Sequence, residues 1–355
     1  MTNTLSRSDR WLLAVATVLT VAAAVTRYVD LNNVLAFVLA GLTLAVLASL
    51  VGRSVDHLGD RLGAGATGVL QSALGNLPEL FVCIFALRAG LVKVVEAAVI
   101  GSILGNLLLV LGLAFLVGGL RNGTQRFDGE RARTITAMML LAVAAMLLPS
   151  LATLLHTPAA THERALSVIA SVVLLLVFAC SVPASIRKTP GPPSAEAGDA
   201  GPRWPLSFAV AMLVATGVLA ALVSDWFVHA LDPAIATLHI SQAFAGLVIV
   251  AIAGNAVENV VGIQLAARNQ ADFALSVILN SPLQIALVLA PALVLLSFVV
   301  GGAAFTLVFP PLLVSVVVAS VLAVGFIIID GESVWLEGAA LLGLYGVIAA
   351  SFWWG

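Results

Sequence analysis

The chain has 355 residues, of which 61% are hydrophobic and 10% charged, against about 25% charged in ordinary soluble domains. With a mean hydropathy of +1.13 and apolar runs recurring from end to end, a soluble globular protein is excluded and a polytopic all-α membrane protein is required. The formal net charge is −2, so no basic surface points to nucleic acid; the lipid bilayer is the expected environment.

The opening MTNTLSRSDR and the apolar run from Trp11 have the layout of a signal peptide. That run continues to Val25 and further apolar segments follow, so it is read as a first transmembrane helix rather than a cleaved leader. Cutting at charge, Pro and Gly clusters predicts about eleven spans: 11–27, 34–52, 64–88, 92–119, 133–155, 163–186, 204–227, 242–267, 272–299, 303–329 and 333–354. The run RSVDHLGDRLG, 53–63, reads equally as an amphipathic interfacial segment or a plain connector. Cys83 and Cys180 fall in apolar runs and suit packing rather than a disulfide or zinc site. The five histidines (57, 156, 162, 229 and 239) are placed in connecting segments or near span ends. Trp335, Trp353 and Trp354 at the ends of the last span read as interfacial anchors.

One segment, KTPGPPSAEAGDAGPR over 188–203, has a linker's composition and divides the chain nearly in half. Segments on the N-terminal side of the membrane carry twelve cations and the opposite side four, Arg27, Arg88, Lys93 and Arg164. The positive-inside rule then places the N-terminus in the cytoplasm and the C-terminus outside.

An internal repeat follows from the polar residues. Gly75-Asn76-Leu77-Pro78-Glu79 recurs as Gly254-Asn255-Ala256-Val257-Glu258 at a shift of 179, which also carries Ser102 onto Ser281. The copies enter the membrane from opposite sides, so the expected organisation is one N-terminal helix (1–33) and two inverted five-helix repeats (34–187 and 204–355) about the cytoplasmic linker (188–203). Inverted repeats of this kind belong to secondary transporters with a midplane site.

Among the acidic residues only Glu79 and Glu258 fall near the middle of a predicted span. A carboxylate there costs at least about 2.5 kcal/mol on insertion scales, so it is expected to face a cavity, an ion or its counterpart. Asn76 and Asn255 lie three residues before each Glu, a spacing that in a continuous helix puts both side chains on one face. Gly75, Gly254 and Pro78 weaken the helical ladder at the same level and are candidates to free backbone carbonyls. Ser102 and Asn106 in GSILGN, with Asn280, Ser281 and Gln284 in NSPLQ, add neutral oxygen donors; interhelical hydrogen bonding is the alternative role, weighted less for Ser102 and Ser281 because of their symmetry. Oxygen donors without Cys or His suit a hard cation, Ca²⁺ first, with Mg²⁺, Mn²⁺ and Na⁺ as alternatives. Two close, poorly solvated carboxylates also take up protons when no metal is bound, so cation and H⁺ compete for Glu79 and Glu258. That competition suffices for antiport. No resident cofactor is expected, the cation being cargo, and no HExxH or paired intramembrane Asp motif marks an enzyme.

At these residues the sequence resembles the cation/Ca²⁺ exchanger superfamily, and within it the Ca²⁺/H⁺ antiporter (CAX) family. The resemblance rests on GNLPELFVCIFALRAG and GSILGNLLLVLGLAFLVGG in the first copy, and on GLVIVAIAGNAVENVVGIQLAA and NSPLQIALVLAPALVLL in the second. It implies exchange of Ca²⁺ for H⁺ by alternating access in a bacterial cytoplasmic membrane, with Na⁺/H⁺ exchange the alternative and a cation channel a distant third. Sodium/calcium exchangers of the superfamily tend to have an acidic or amide residue 27 positions after each Glu, where the second copy has Ile285. Four departures stand out. Asn259 replaces the family's His beside the second Glu, Gln71 stands where Asn is usual, Gly105 replaces a Ser, and Asn280 with Pro282 replaces Gly and Ser. The acidic stretch between the halves is reduced to Glu196 and Asp199.

Overall fold

The structure, a computed structural model, describes residues 5–29, 32–62, 74–188 and 204–354, with backbone only at 60–62, 182–188 and 256–258. Among these residues it is almost wholly helical: α1 (Arg7–Tyr28), α2 (Asn33–Leu62), α3 (Leu77–Arg88), α4 (Val92–Asn122), α5 (Gly129–Leu154), α6 (Glu163–Lys188), α7 (Leu206–Leu238), α8 (Gln242–Gly254), α9 (Ala256–Ala267), α10 (Ala271–Val300), α11 (Pro311–Ile327) and α12 (Trp335–Trp353). A two-residue antiparallel ladder pairs β1 (Gln125–Arg126) with β2 (Glu332–Ser333). Nine helical segments among the described residues are long and apolar enough to span a bilayer; Gln242–Gly254 and Asn259–Ala267, which meet at a 64° bend, make a tenth when the pair is counted as one span. The expected span 64–88 is described only from residue 74, so a count of eleven is not reached. Gln71 and residues 189–203 lie outside the described residues.

The chain divides into two compact units, residues 1–85 with 178–239 and residues 86–177 with 240–355. In the first, α2 packs lengthwise on α7, with Phe37 stacked on Phe227 at a centroid separation of 4.8 Å. α1 starts on a capping box in which Asp9 N–H donates to Ser6 Oγ (3.0 Å) and Ser6 N–H to Asp9 Oδ2 (3.1 Å). The run 53–63, whose Gly63 lies outside the described residues, is over 53–62 the last part of α2, not a separate interfacial helix or a connector. Its charge is met in place, since Arg53 Nη1 donates to Asp9 Oδ1 (2.5 Å), Trp204 Nε1 donates to Asp9 Oδ2 (3.2 Å), and His57 stacks on Trp204 at 4.6 Å. His57 is therefore inside a helix. α7 also exceeds its expected end at 227: its 33 residues make a rod about 50 Å long. Asp225, His229 and Asp232 consequently sit within it. Because the bilayer core is only about 30 Å thick, a helix of this length carries polar residues without placing them all in lipid.

In the second unit α4 is the central element, with Val94, Val95 and every residue from Ala97 to Leu108 buried. Backbone contact is unusually close where α4 crosses α8: a Cβ on Gly101 would lie 2.3 Å from Leu247 O, and one on Gly246 would lie 2.3 Å from Val94 O. Only glycine permits that approach. α4, α8 and α10 each contain a π turn, at Gly105–Val110, Ala245–Val250 and Ile285–Leu289. The expected span 303–329 is also shorter than its apolar run, because residues 303–309 are extended and helix begins only at Pro311. Consecutive prolines at 310 and 311 set that start, since a proline cannot continue a helix from upstream but fits its first turn. Cys83 is buried as expected, whereas Cys180 is exposed on α6.

Candidate cation-binding site

Both copies of the GN-x-x-E motif break the helix at the asparagine. Asn76 precedes α3 and Asn255, at φ −105° and ψ 19°, separates α8 from α9. Glu79 and Glu258 therefore occupy the first turns of α3 and α9. This corrects the expectation of one uninterrupted helical face: the Asn is the residue ahead of a new helix and the Glu is three residues inside it. The backbone carbonyls of the asparagines themselves are occupied. Leu80 N–H donates to Asn76 O (2.9 Å) and Asn259 N–H to Asn255 O (3.1 Å), the first bonds of the new helices. A first-turn carboxylate lies at the end of the helix where the macrodipole favours negative charge.

In the first unit Asn76 and Glu79 are both buried, and Asn76 Nδ2 has no hydrogen-bond partner among the described residues. The second unit holds the other candidates. Ser102, Asn106 and Asn255 come together: Asn255 Nδ2 donates to Ser102 Oγ (3.0 Å) and Ala251 O (2.9 Å), while Asn106 Nδ2 donates to Ser102 O (2.9 Å). Because both amide nitrogens are engaged by backbone carbonyls, which only accept, their orientation is set by the network. The consequence is chemical. Asn106 Oδ1 and Asn255 Oδ1 are left buried with no hydrogen-bond partner among the described residues, as is Ser281 Oγ on α10. A buried unpaired polar atom costs about 1–3 kcal/mol, so three oxygens held that way call for a ligand that accepts lone pairs. α10 packs against the π turn that carries Asn106, while Gln284, half-buried, ends the α-helical part of α10 where its own π turn begins. Asn106 and Ile285 both lie in π turns and are themselves 179 residues apart, and such turns concentrate at functional sites. No sequence signal marked them.

The side chain of Glu258 lies outside the described ones, so only its helical position is reported. Asn280 Nδ2 donates to Ser276 O (2.6 Å), the same bond to the carbonyl four residues earlier that Asn106 and Asn255 make. Asn259 adds an oxygen that sequence reasoning did not count: Oδ1 is buried without a hydrogen-bond partner one turn after Asn255. Gly105 has open space where a Cβ would stand, so the family's Ser could be accommodated. Among the described residues no cluster of three His, Cys, Asp or Glu could hold a metal ion. Neutral oxygens with a few carboxylates are a donor set for a cation that is bound and released rather than locked in place.

Long apolar spans, helices broken at repeat-related asparagines, and buried oxygens left unpaired beside the breaks define a polytopic membrane carrier for a hard cation. The sodium/calcium exchanger protein family matches residues 32–187 and 208–354, and the chain belongs to it. It is 34% identical over 340 residues to a Ca(2+)/H(+) antiporter of Aphanothece halophytica, covering 90% of each chain. It is also 34% identical to the Ca(2+)/H(+) antiporter ChaA of Bacillus subtilis, covering 87% of this chain and 89% of that one. The solved structure of native YfkE superposes with a TM-score of 0.82 at 30% identity over 96% of this chain and 99% of that one. The protein is thus an integral membrane protein of the exchanger fold.

Proposed function

We propose that this chain is a secondary active antiporter exchanging Ca²⁺ for H⁺ by alternating access, with Glu79 and Glu258 as the groups that carry either cargo. The observation that carries the reading is the set of buried oxygens at Asn106, Asn255 and Ser281, unpaired among the described residues and all on repeat-related segments of a chain in the exchanger family. Its relatives named Ca(2+)/H(+) antiporter support Ca²⁺ and H⁺ as the pair.

In this reading a divalent cation is held by the two carboxylates and by oxygens from Asn76, Asn106, Asn255, Ser102, Ser281 and Gln284. One Ca²⁺ or two H⁺ neutralise the pair of carboxylates, and leaving both ionised in a low-dielectric site is costly. The carrier therefore crosses only when loaded, which makes exchange obligatory. The N-terminus is cytoplasmic and the C-terminus outside, on the cation asymmetry of the connecting segments. The test is dissipation of a pH gradient in everted vesicles, screened over Ca²⁺, Mg²⁺, Mn²⁺, Na⁺ and K⁺. Dissipation by Ca²⁺ supports the assignment. A response to Na⁺ alone would move the chain to Na⁺/H⁺ exchange, and cation flux needing no counter-ion would make it a channel.

A further inference from the structure

The segments that follow α4 and α10 carry a hydrogen-bonding pattern that the cation site does not use. Each begins after a glycine with positive φ, Gly123 at +76° and Gly301 at +78°. After α10 the chain meets the end of α3: Ala303 N–H donates to Leu87 O (3.1 Å). Gly302, at φ +100°, lies so close that a Cβ would be 2.8 Å from Arg88 Cα. The chain then runs extended, and every second N–H finds a serine. Phe305 N–H donates to Ser297 Oγ (3.1 Å), Leu307 N–H to Ser167 Oγ (3.0 Å) and Phe309 N–H to Ser150 Oγ (2.9 Å). Ser150 Oγ donates back to Leu307 O (2.8 Å). All three serines and the side chains of Phe305, Leu307 and Phe309 are buried.

After α4 the partner is the end of α9. Gln125 Nε2 donates to Ala266 O (2.8 Å), and Asn122 Nδ2 reaches Ala266 O and Ala267 O, both at 3.3 Å. Leu87 and Ala266 are 179 residues apart, the shift that relates Asn76 to Asn255 and Glu79 to Glu258. α3 and α9 are each 12 residues long, rods of about 18 Å with a glutamate in the first turn and a gripped carbonyl in the last. Ordinary capping satisfies such carbonyls from within the same helix end or from water. Here Leu87 O accepts from Gly90 N–H (3.1 Å) and Ala266 O from Asn269 N–H (3.0 Å) at their own helix ends, and each takes a further donor from a segment of the opposite repeat.

We propose that these are two reciprocal clasps, and that Gln125 on one side and Ser150, Ser167 and Ser297 on the other are positioning residues for transport. Each clasp fixes the far end of a short stiff helix and so sets where its glutamate stands. The serines act through the 301–310 strap, where among the described residues they are the acceptors for the N–H groups of Phe305, Leu307 and Phe309; without them those three N–H groups lose these partners and Ala303 is no longer held on Leu87. This rests on the reading of Glu79 and Glu258 as the cation-carrying pair.

The experiment compares Gln125→Met, which keeps length and removes the donor, with Ser150→Ala and Ser150→Thr in proteoliposomes. Gln125→Met and Ser150→Ala should raise the Ca²⁺ Km about two- to twelvefold, the range one lost hydrogen bond gives, with the maximal rate per folded transporter nearly kept. Ser150→Thr retains the hydroxyl and should stay near wild type. A second readout is independent of transport: Cys83, buried on α3 one turn after Glu79, in a Cys180→Ser background. Its N-ethylmaleimide labelling should accelerate in Ser150→Ala and not in Gln125→Met. Unchanged Km in both variants, a fall in rate at constant Km, or Cys83 labelling that ignores Ser150→Ala would overturn the clasps. Failure of the unsubstituted protein to exchange Ca²⁺ for H⁺ would instead remove the site assignment, with the labelling still deciding whether α3 is held by the strap.

Discussion

Replacing Ser102 by Ala tests the network that orients the candidate ligands. Ser102 is fully buried, and its hydroxyl accepts from Asn255 Nδ2 at 3.0 Å. Its removal leaves Asn255 held by the single bond to Ala251 O at 2.9 Å and strands one buried N–H. A net hydrogen bond contributes about 0.5–1.5 kcal/mol, equivalent to about two- to twelvefold in an equilibrium constant. The Ca²⁺ Km should rise by that factor, and by more if Ser102 Oγ itself touches the ion. The assay is initial Ca²⁺ uptake into proteoliposomes with an acidic interior, over a Ca²⁺ titration. Ser54→Ala serves as the control, since that serine is equally buried but, among the described residues, its hydroxyl bonds only to Leu50 O of its own helix (2.7 Å). Equal Km for wild type, Ser102→Ala and Ser54→Ala would show that the Ser102–Asn255 bond is packing only.

Glu79→Gln and Glu258→Gln should each abolish exchange while inserting normally, because an amide keeps shape but loses the charge that holds a divalent ion and accepts a proton; near-normal transport in either would return that Glu to a structural role. Acidification on the binding side should raise the apparent Ca²⁺ Km and leave the saturated rate nearly unchanged, since protons occupy the same oxygens; a pH-independent Km would contradict the competition. Asn259→His places a group titrating near neutrality beside Glu258 and should reshape the pH profile without changing the ion moved, as a side-by-side pH series on both proteins will read. With controlled voltage and pH gradients, uptake should follow the pH gradient and carry little net charge; uptake driven by voltage alone would exclude the one-for-two exchange.

The functional motif was legible because bilayer physics makes it conspicuous. A carboxylate in an apolar run is costly wherever the chain goes, so Glu79 and Glu258 stand out in one dimension, and their shared spacing to Asn76 and Asn255 needs no coordinates. Secondary structure at those asparagines was less legible. A three-residue interval is compatible with one helical face and also with a helix start followed by its third residue; only the break at Asn255 distinguishes them. Similarly, Asn106 and Asn280 look alike as polar residues in apolar spans, and both bond back to the carbonyl four residues earlier, yet Asn106 is buried with its Oδ1 unpaired among the described residues while Asn280 is half-buried.

By itself the sequence determined the membrane class, the repeat shift and the candidate site residues, since each depends on composition or spacing along the chain. It also carried the family, through motifs that the comparisons match over most of its length. The tertiary structure alone decided which amide oxygens go unpaired, that Arg53 continues α2 by pairing with Asp9, and that 303–309 is extended. The physical reason is the range of the partners. An apolar run buries equally well as helix or as extended chain, and what chose between them at Leu307 and Phe309 were hydroxyls 140 and 159 residues away, a separation at which local hydropathy carries no information.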